Sequence, residues 1–433
     1  MSSTIPIRLI YITTMKRLFS KPLLLAALFV AVTTPGFSQS GAGETKKDTT
    51  SNKPVLPKPY ATKSAVNHPR VEGWLEGKKP KAPEGFTVEK FADGFQNPRW
   101  IYQSPNGDLF ISESSTQPTS ANQITILQDS DKDGKYDVRE VFLSNQNKPF
   151  GMLVLGDYFY LANTDALIRY PYKAGQTKIT ETGKKILDLP AGGYNNHWTR
   201  NIIASSDGKK ILISVGSGSN NGENGMDKEV RRANILEVNP DGRDEKIYAA
   251  GLRNPVGMDY YPGSDVLWTA VNERDELGDD LVPDYITSVK RGAFYGWPYA
   301  YFGPNEDPRM KGKAPELVKK TLVPDVAVGA HTASLGLAFY DGKTFPSKYQ
   351  NGAFVAQHGS WNRSKLSGYK VMFVPFKDGK PAGPPEDFLT GFINDASKSK
   401  VYGRPVCVTV VSDGSLLVSD DASNTIWQVK AAK

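Results

Sequence analysis

Cysteine is nearly absent: Cys407 is the one thiol among 433 residues. No disulfide can therefore form within the chain, and no zinc site can rest on thiolates. Cys407 stands in the apolar run Val406–Val411 and reads as a small core residue. Histidine is also scarce, at four. Long apolar runs are missing, since Leu23–Val32 is too short to cross a bilayer comfortably. Charge of one sign is missing from most of the chain. The net +7 arises in residues 1–82, with 13 basic and 4 acidic side chains, which leaves 40 basic against 42 acidic beyond them. A near-neutral domain lacks the electrostatic footprint that phosphate backbones require, which excludes nucleic acid as a partner. Neither a serine-hydrolase elbow nor a phosphate-binding glycine loop is present.

What is present begins with a leader. Lys16 and Arg17 follow Met15, the expected true start, then comes the apolar run, then Gly36-Phe37-Ser38 with the small residues a signal peptidase reads. Residues 1–38 are read as a secretory signal, with the mature chain starting near Gln39 and working in the periplasm or outside the cell, without stable membrane insertion. Residues 39–82 are rich in Ser, Thr, Lys and Pro, and bury too little to offset ordering entropy. They are expected to form a flexible linker, with Trp74 as the one residue suited to docking on the domain.

Residues 83–433 show short strands between turn signals and no sustained helical period. Gly and Pro make up about 16% of the chain and aromatics 11%, both suited to strands and turns. One element recurs, a polar turn followed by about five apolar and small residues. It stands at Asp108–Ser112, Asp157–Ala162, Lys210–Val215, Asp265–Val271, Gly352–Gln357 and Ser415–Ser419. Strand cassettes at this spacing predict an all-β fold, a six-bladed β-propeller of four-stranded antiparallel blades. The longest interval, 87 residues, implies an insertion at Asp279–Val328, which carries Tyr295-Gly296-Trp297-Pro298. A propeller binds ligands at one channel mouth, so candidates are polar residues at equivalent places in different repeats.

His197, His331 and His358 each sit in a loop beside Gly, Asn, Thr or Trp. A lone loop histidine is usually a solvated side chain; three in separate repeats point to a shared mouth. His197 has the richest polar frame, Tyr194-Asn195-Asn196 before it and Gly216-Ser217-Gly218-Ser219-Asn220 after the next strand, as a general base needs. Arg253-Asn254-Pro255 places a guanidinium and an amide on a fixed turn, and Arg363 and Arg404 are similar cations in other repeats. Such cations either close turns against nearby acids or, together, bind a small polyanion.

Two acidic clusters suit calcium, which prefers oxygen ligands. Asp129, Asp131 and Asp133, with Gly134, alternate as in a calcium loop, although a plain polar turn would look the same. The second cluster, Asn272–Asp280, follows a strand directly and precedes an aromatic-rich loop.

Arg253-Asn254-Pro255, Asn272–Asp280 followed by Tyr295-Gly296-Trp297-Pro298, Gly359-Ser360-Trp361-Asn362-Arg363 and Gly403-Arg404-Pro405 occur in this order over residues 83–433. In these features the chain resembles the soluble quinoprotein glucose/sorbosone dehydrogenase family, closer to its sorbosone and aldose-sugar branch than to soluble glucose dehydrogenase. Val256 stands where soluble glucose dehydrogenase has Gln, and residues 330–334 differ from its Trp-containing loop. The resemblance implies pyrroloquinoline quinone (PQQ) and Ca²⁺ at the mouth, and oxidation of a sugar or related aldehyde by hydride transfer to the quinone. An electron acceptor, not identified by the sequence, would then reoxidise the cofactor. It further implies His197 as the base, Arg253, Asn254, Arg363 and Arg404 as cofactor contacts, and carbonyls near Arg274, Asp275 and Glu276 as calcium ligands. The rival class is a non-redox propeller, either a carbohydrate-binding module or a calcium-dependent lactonase; a lactonase would need carboxylates converging from several blades.

Overall fold

Leu-Phe-Ile-Ser-Glu at 109–113, Ile-Leu-Ile-Ser-Val at 211–215 and Leu-Leu-Val-Ser-Asp at 416–420 are too short and too evenly apolar for an amphipathic helix. In the computed structural model, which describes residues 50–51 and 54–432, all three are fully buried strands. Each of the six recurring elements lies second in its own four-stranded antiparallel sheet. The first sheet is Pro98–Gln103, Leu109–Glu113, Gln123–Gln128 and Val138–Leu143; the second is Met152–Leu155, Tyr158–Ala162, Ala166–Pro171 and Lys184–Asp188. The third is Ile202–Ala204, Ile211–Val215, Asn234–Val238 and Lys246–Ala250. The fourth runs Pro255–Tyr260, Leu267–Val271, Pro283–Ser288 and Val326–Ala330, with Thr50–Ser51 added at its edge. The fifth is Ser334–Phe339, Gly352–Gln357, Lys370–Lys377 and Glu386–Leu389. The sixth joins Pro405–Val410, Leu416–Asp420 and Thr425–Ala431 to the distant Phe86–Ala92. The all-β class and the four-stranded antiparallel sheets are thus as expected.

Opening strands of consecutive sheets contact one another. Tyr102 OH accepts the Val154 N–H at 3.0 Å, Gly151 N–H donates to Arg200 O at 2.9 Å, and Asn201 Nδ2 donates to Val256 O at 2.9 Å. At the next two junctions glycine permits the approach. A Cβ on Gly257 would lie 2.5 Å from Leu337 N, and one on Gly336 would lie 2.7 Å from Val406 O. Ser419 Oγ then donates to Arg99 O at 2.8 Å, which links the sixth sheet to the first. The apolar clusters lie between neighbouring sheets, as Leu109, Phe110 and Phe142 with Phe159, or Trp268 and Val326 with Phe339 and Phe376.

The insertion is narrower than the sequence suggested. Pro283–Ser288 and Val326–Ala330 are strands of the fourth sheet, so the added segment is 289–325, with a hairpin at Ala300–Tyr301 and Asn305–Glu306 and a helix at Pro315–Lys320. Pro283–Ser288 is almost wholly buried, so no alternation marked it as a strand. Residues 54–82, the described part of the expected linker, follow the domain surface. Arg70–Val71 pairs in parallel with Lys400–Val401, and Trp74 Nε1 donates to Asp420 at 2.8 Å while its ring meets Phe392, Tyr402 and Trp427. Residues 1–38, read from the sequence as a secretory signal, lie outside the described residues. No helix among the described residues is long and apolar enough to cross a membrane.

Candidate functional site

Antiparallel pairing places the start of each first strand beside the end of the second. Pro98 pairs with Glu113, Pro255 with Val271, Ser334 with Gln357 and Pro405 with Asp420. Loops leading into first strands and loops leaving second strands therefore gather at one end. There they enclose a cavity of about 510 Å³, lined among others by Arg99, His197, Arg253, Asn254, Asp275, His331, His358, Trp361, Arg404 and Asp421. Its charged wall sets three arginines against two aspartates, a balance that favours an anionic ligand.

The segment bearing His197 is held by the fully buried Arg200, whose guanidinium donates to the carbonyls of His197 at 2.9 Å, Thr199 at 2.7 Å and Pro190 at 2.5 Å. His197 Nδ1 lies 2.8 Å from Ser217 O, an acceptor, so Nδ1 carries the proton. Nε2 is left as a bare acceptor with no partner among the described residues. Burial, with the nearby Arg253 charge, holds its pKa well below the usual 6.5, so the ring is neutral at pH 7.

His331 is the opposite case. Nδ1 meets Asp275 Oδ1 at 3.0 Å and Nε2 meets Gly278 O at 2.8 Å, so both nitrogens face acceptors. Burial would lower its pKa, but the hydrogen bond and charge of Asp275 outweigh burial and raise it. His358 donates Nε2–H to Asp421 Oδ1 at 2.9 Å, which leaves Nδ1 free of partners among the described residues. Burial and then the Arg404 charge push it down to about 4. Burial would raise the Asp421 pKa, but His358, Arg99 and Arg404 together hold it well below the usual carboxylate range. With His358 neutral at pH 7, the Arg99 and Arg404 charges are what keep Asp421 ionised.

Arg253 is 1% exposed and lines the cavity while bracing two loops. It donates to Asn220 O at 2.9 Å, Glu273 O at 2.7 Å and Asn220 Oδ1 at 2.9 Å, and Asp275 Oδ2 lies 3.5 Å away. Asn254 Oδ1 is buried without a partner. Arg404 donates to His358 O at 3.0 Å and Gly359 O at 3.1 Å, and Arg99 Nε has no partner.

Other expected residues are placed elsewhere. Arg363 does not line the cavity; its guanidinium donates to Asp279 O at 2.9 Å and Asp280 Oδ1 at 2.7 Å, closing a turn against a nearby acid. The Arg274 side chain is buried against Asp307 of the insertion at 2.6 Å, so only its carbonyl is left as a metal ligand. That carbonyl accepts no hydrogen bond among the described residues, whereas those of Glu273 and Asp275 receive Arg253 and Arg274. Glu276 lies outside the cavity lining, with its N–H on Asn362 Oδ1 at 3.0 Å. Asp129, Asp131 and Asp133 bring carboxylate oxygens within 4.8 Å of one another. They follow the third strand of the first sheet, which leaves the cavity end at Gln123 and finishes at Gln128, so this cluster lies at the far end of that sheet.

Arg99 and Asp421 were not singled out from the sequence. The signal was available: Asn97-Pro98-Arg99 opens the first sheet as Arg253-Asn254-Pro255 opens the fourth and Gly403-Arg404-Pro405 the sixth.

A cavity walled by equivalent loops of repeated four-stranded sheets defines a class of small-molecule site. The chain belongs to the TrAA12-like family, which matches residues 80–291 and 313–432. It is 32% identical over 363 residues to an uncharacterized protein of Borreliella burgdorferi, across 81% of this chain and 90% of that one. It is 29% identical over 196 residues to aldose sugar dehydrogenase YliI of Escherichia coli, across 41% of this chain and half of YliI. The holo PQQ domain of pyranose dehydrogenase from Coprinopsis cinerea shares the fold, with a TM-score of 0.68 at 20% identity over 83% of this chain and 98% of that domain. The resemblance to the quinoprotein sugar dehydrogenases thus holds in sequence and in fold.

Proposed function

We propose that this protein is an exported, PQQ- and Ca²⁺-dependent dehydrogenase that oxidises a sugar or related aldehyde in the cavity, with its six sheets as the blades of a six-bladed β-propeller. The chain of contacts from each opening strand to the next, returning from Ser419 to Arg99, supports the propeller. The leader motif supports export, which N-terminal sequencing of secreted protein tests: a start near Gln39 is expected, and an intact leader on a membrane-bound chain would overturn it.

The observation that carries the function is the donor set. Arg99, Arg253 and Arg404 fit a planar ligand bearing several carboxylates, and the orphaned Asn254 Oδ1 is an acceptor for an N–H or O–H donor on the bound ligand. The free carbonyl of Arg274 beside the Asp275 carboxylate fits a calcium ion. When bound, the pair would supply a two-electron acceptor and a Lewis acid. His197 then takes the substrate hydroxyl proton on Nε2, while Ser217 fixes its tautomer and Arg200 its backbone. His331 holds Asp275 in place through Nδ1. A small-molecule acceptor or protein must carry the electrons away.

The lactonase reading is disfavoured because it needs carboxylates from several sheets on one ion, whereas Asp421, the other aspartate lining the cavity, is committed to Arg99 and His358. Purified protein titrated with PQQ and Ca²⁺ is expected to gain quinone absorbance and to reduce a redox dye on addition of aldoses. Unchanged spectra and no dye reduction would overturn the redox reading in favour of a binding module.

A further inference from the structure

The family match begins at residue 80, yet residues 60–74 run along the rim of the cavity. Tyr60 N–H donates to Leu277 O at 2.8 Å, and Asp279 N–H donates to Thr62 Oγ1 at 2.7 Å. Asn67 is fixed from three directions: its N–H donates to Trp361 O at 2.7 Å, its Nδ2 to Ser364 O at 3.1 Å, and Ser399 Oγ donates to its Oδ1 at 2.5 Å. Asn362 Nδ2 donates to Ala65 O at 3.1 Å. Beyond, Val71 itself lines the cavity.

Within this stretch the His68 ring lies parallel to Trp361, with centroids 5.7 Å apart and 9° between planes. Trp361 lines the cavity and is 39% exposed, whereas His68 does not line it. A large exposed indole in a cavity wall otherwise rich in charge is an apolar surface held open for a ligand. Elsewhere the wall offers hydrogen-bonding groups, as a polyhydroxylated ring with one apolar C–H face requires. The stacked imidazole and the Asn67 contact on the Trp361 carbonyl remove the freedom the indole would otherwise lose on binding.

We propose that residues 60–74 form a fixed strap that orients Trp361 through His68, making a platform on which the apolar face of a pyranose ring rests. His68 is a positioning residue here, and Trp361 touches the substrate. This assignment rests on the sugar-oxidation reading for its substrate class.

The test compares full-length protein loaded with PQQ and Ca²⁺ as wild type, His68→Ala, His68→Phe and Trp361→Ala. Binding of methyl β-D-glucopyranoside is followed calorimetrically and aldose turnover by dye reduction. His68→Ala is expected to weaken pyranoside binding and raise KM about 2- to 10-fold, the range of an aromatic stacking contact, with kcat within twofold and PQQ retained. His68→Phe should restore both, and Trp361→Ala should weaken binding at least tenfold. Binding by His68→Ala equal to wild type overturns the platform even if sugars are oxidised. So does a loss that His68→Phe fails to restore, or a wild type that binds no pyranoside. Pyranoside binding with the stated dependence, but no turnover of any sugar, overturns the oxidation reading and leaves the platform standing.

Discussion

Arg99 Nη1 lies 2.5 Å from Asp421 Oδ2, although 322 residues separate them in the chain. The pair joins the strand that opens the first sheet to the loop that leaves the second strand of the sixth. The other Asp421 oxygen accepts from His358 of the fifth sheet. One carboxylate thus ties loops of three sheets at the cavity wall, with side-chain exposures of only 10% and 12% for the ion pair.

Removing that carboxylate leaves a buried guanidinium uncompensated. Asp421→Ala is therefore expected to lower unfolding stability by about 3–5 kcal/mol, the usual loss when one partner of a buried pair is removed. Glu316→Ala, which breaks the exposed pair with Lys319, should change it by less than about 1 kcal/mol. Urea unfolding of both variants checks the contrast; equal small losses would show that Arg99 finds water instead.

His197→Ala should reduce kcat by roughly 10²–10⁴, the range for a positioned proton acceptor, while PQQ binding changes little. Because the His197 pKa is depressed, the acid limb of the rate profile should fall below pH 6.5. His358→Gln is the decisive control, since His358 Nδ1 is also neutral and unpartnered among the described residues. A larger kcat loss in His358→Gln than in His197→Ala, with PQQ retained, would move the base to His358.

Arg404 and Arg363 separate cofactor binding from turn closure. Arg404→Ala should weaken PQQ binding at least tenfold, measured by spectral titration, because a charge-assisted carboxylate contact is lost. Arg363→Ala should leave PQQ affinity within twofold and reduce thermal stability, since its guanidinium is committed to Asp279 and Asp280. Equal loss of PQQ in both variants would contradict this division.

Stability should respond to pH through His358. Its folded pKa, about 4, lies below the unfolded value near 6.5, so the unfolded chain takes up the proton first. Stability from this group is unaffected above pH 6.5 and falls as pH drops toward 4, by about 3 kcal/mol in full. Buried Glu273 and Asp284, raised by burial to about 7 and about 6, act with the opposite sign, losing stability as pH rises. The His358 part is therefore read as a difference: His358→Gln should gain about 3 kcal/mol relative to wild type between pH 7 and pH 4. Parallel curves would show that His358 is solvated and normal.

Much of the architecture was legible because each second strand is buried in the same way. LFISE, ILISV and LLVSD are apolar because neighbouring sheets cover them, and that requirement recurs with every repeat. His197, Arg253, Asn254, Asp275 and Arg404 were legible as candidates too, because a histidine loop shared by separate repeats, arginines beside prolines and an acidic cluster directly after a strand all fall in loops that gather at one end. Pro283–Ser288 was not, since a strand covered on both faces carries no alternation.

The sequence alone determined the strand cassettes, the neutral charge of the domain and the residue types available for an anionic ligand. These depend on composition and local period, which need no knowledge of distant neighbours. Tertiary structure decided which arginines face the cavity and which close turns: Arg404 and Arg363 look alike in sequence, but Asp280 stands within reach only of the second. It decided the states of three similar histidines, by giving Ser217 O to His197, Asp275 to His331 and Asp421 to His358. It also decided the place of residues 60–74, whose composition suits a loose linker but whose partners lie some 300 positions onward, at Trp361, Ser364, Ser399 and Asp420. Protonation and docking are set by the nearest partner in space, and in a fold of repeated sheets that partner is seldom the nearest in sequence.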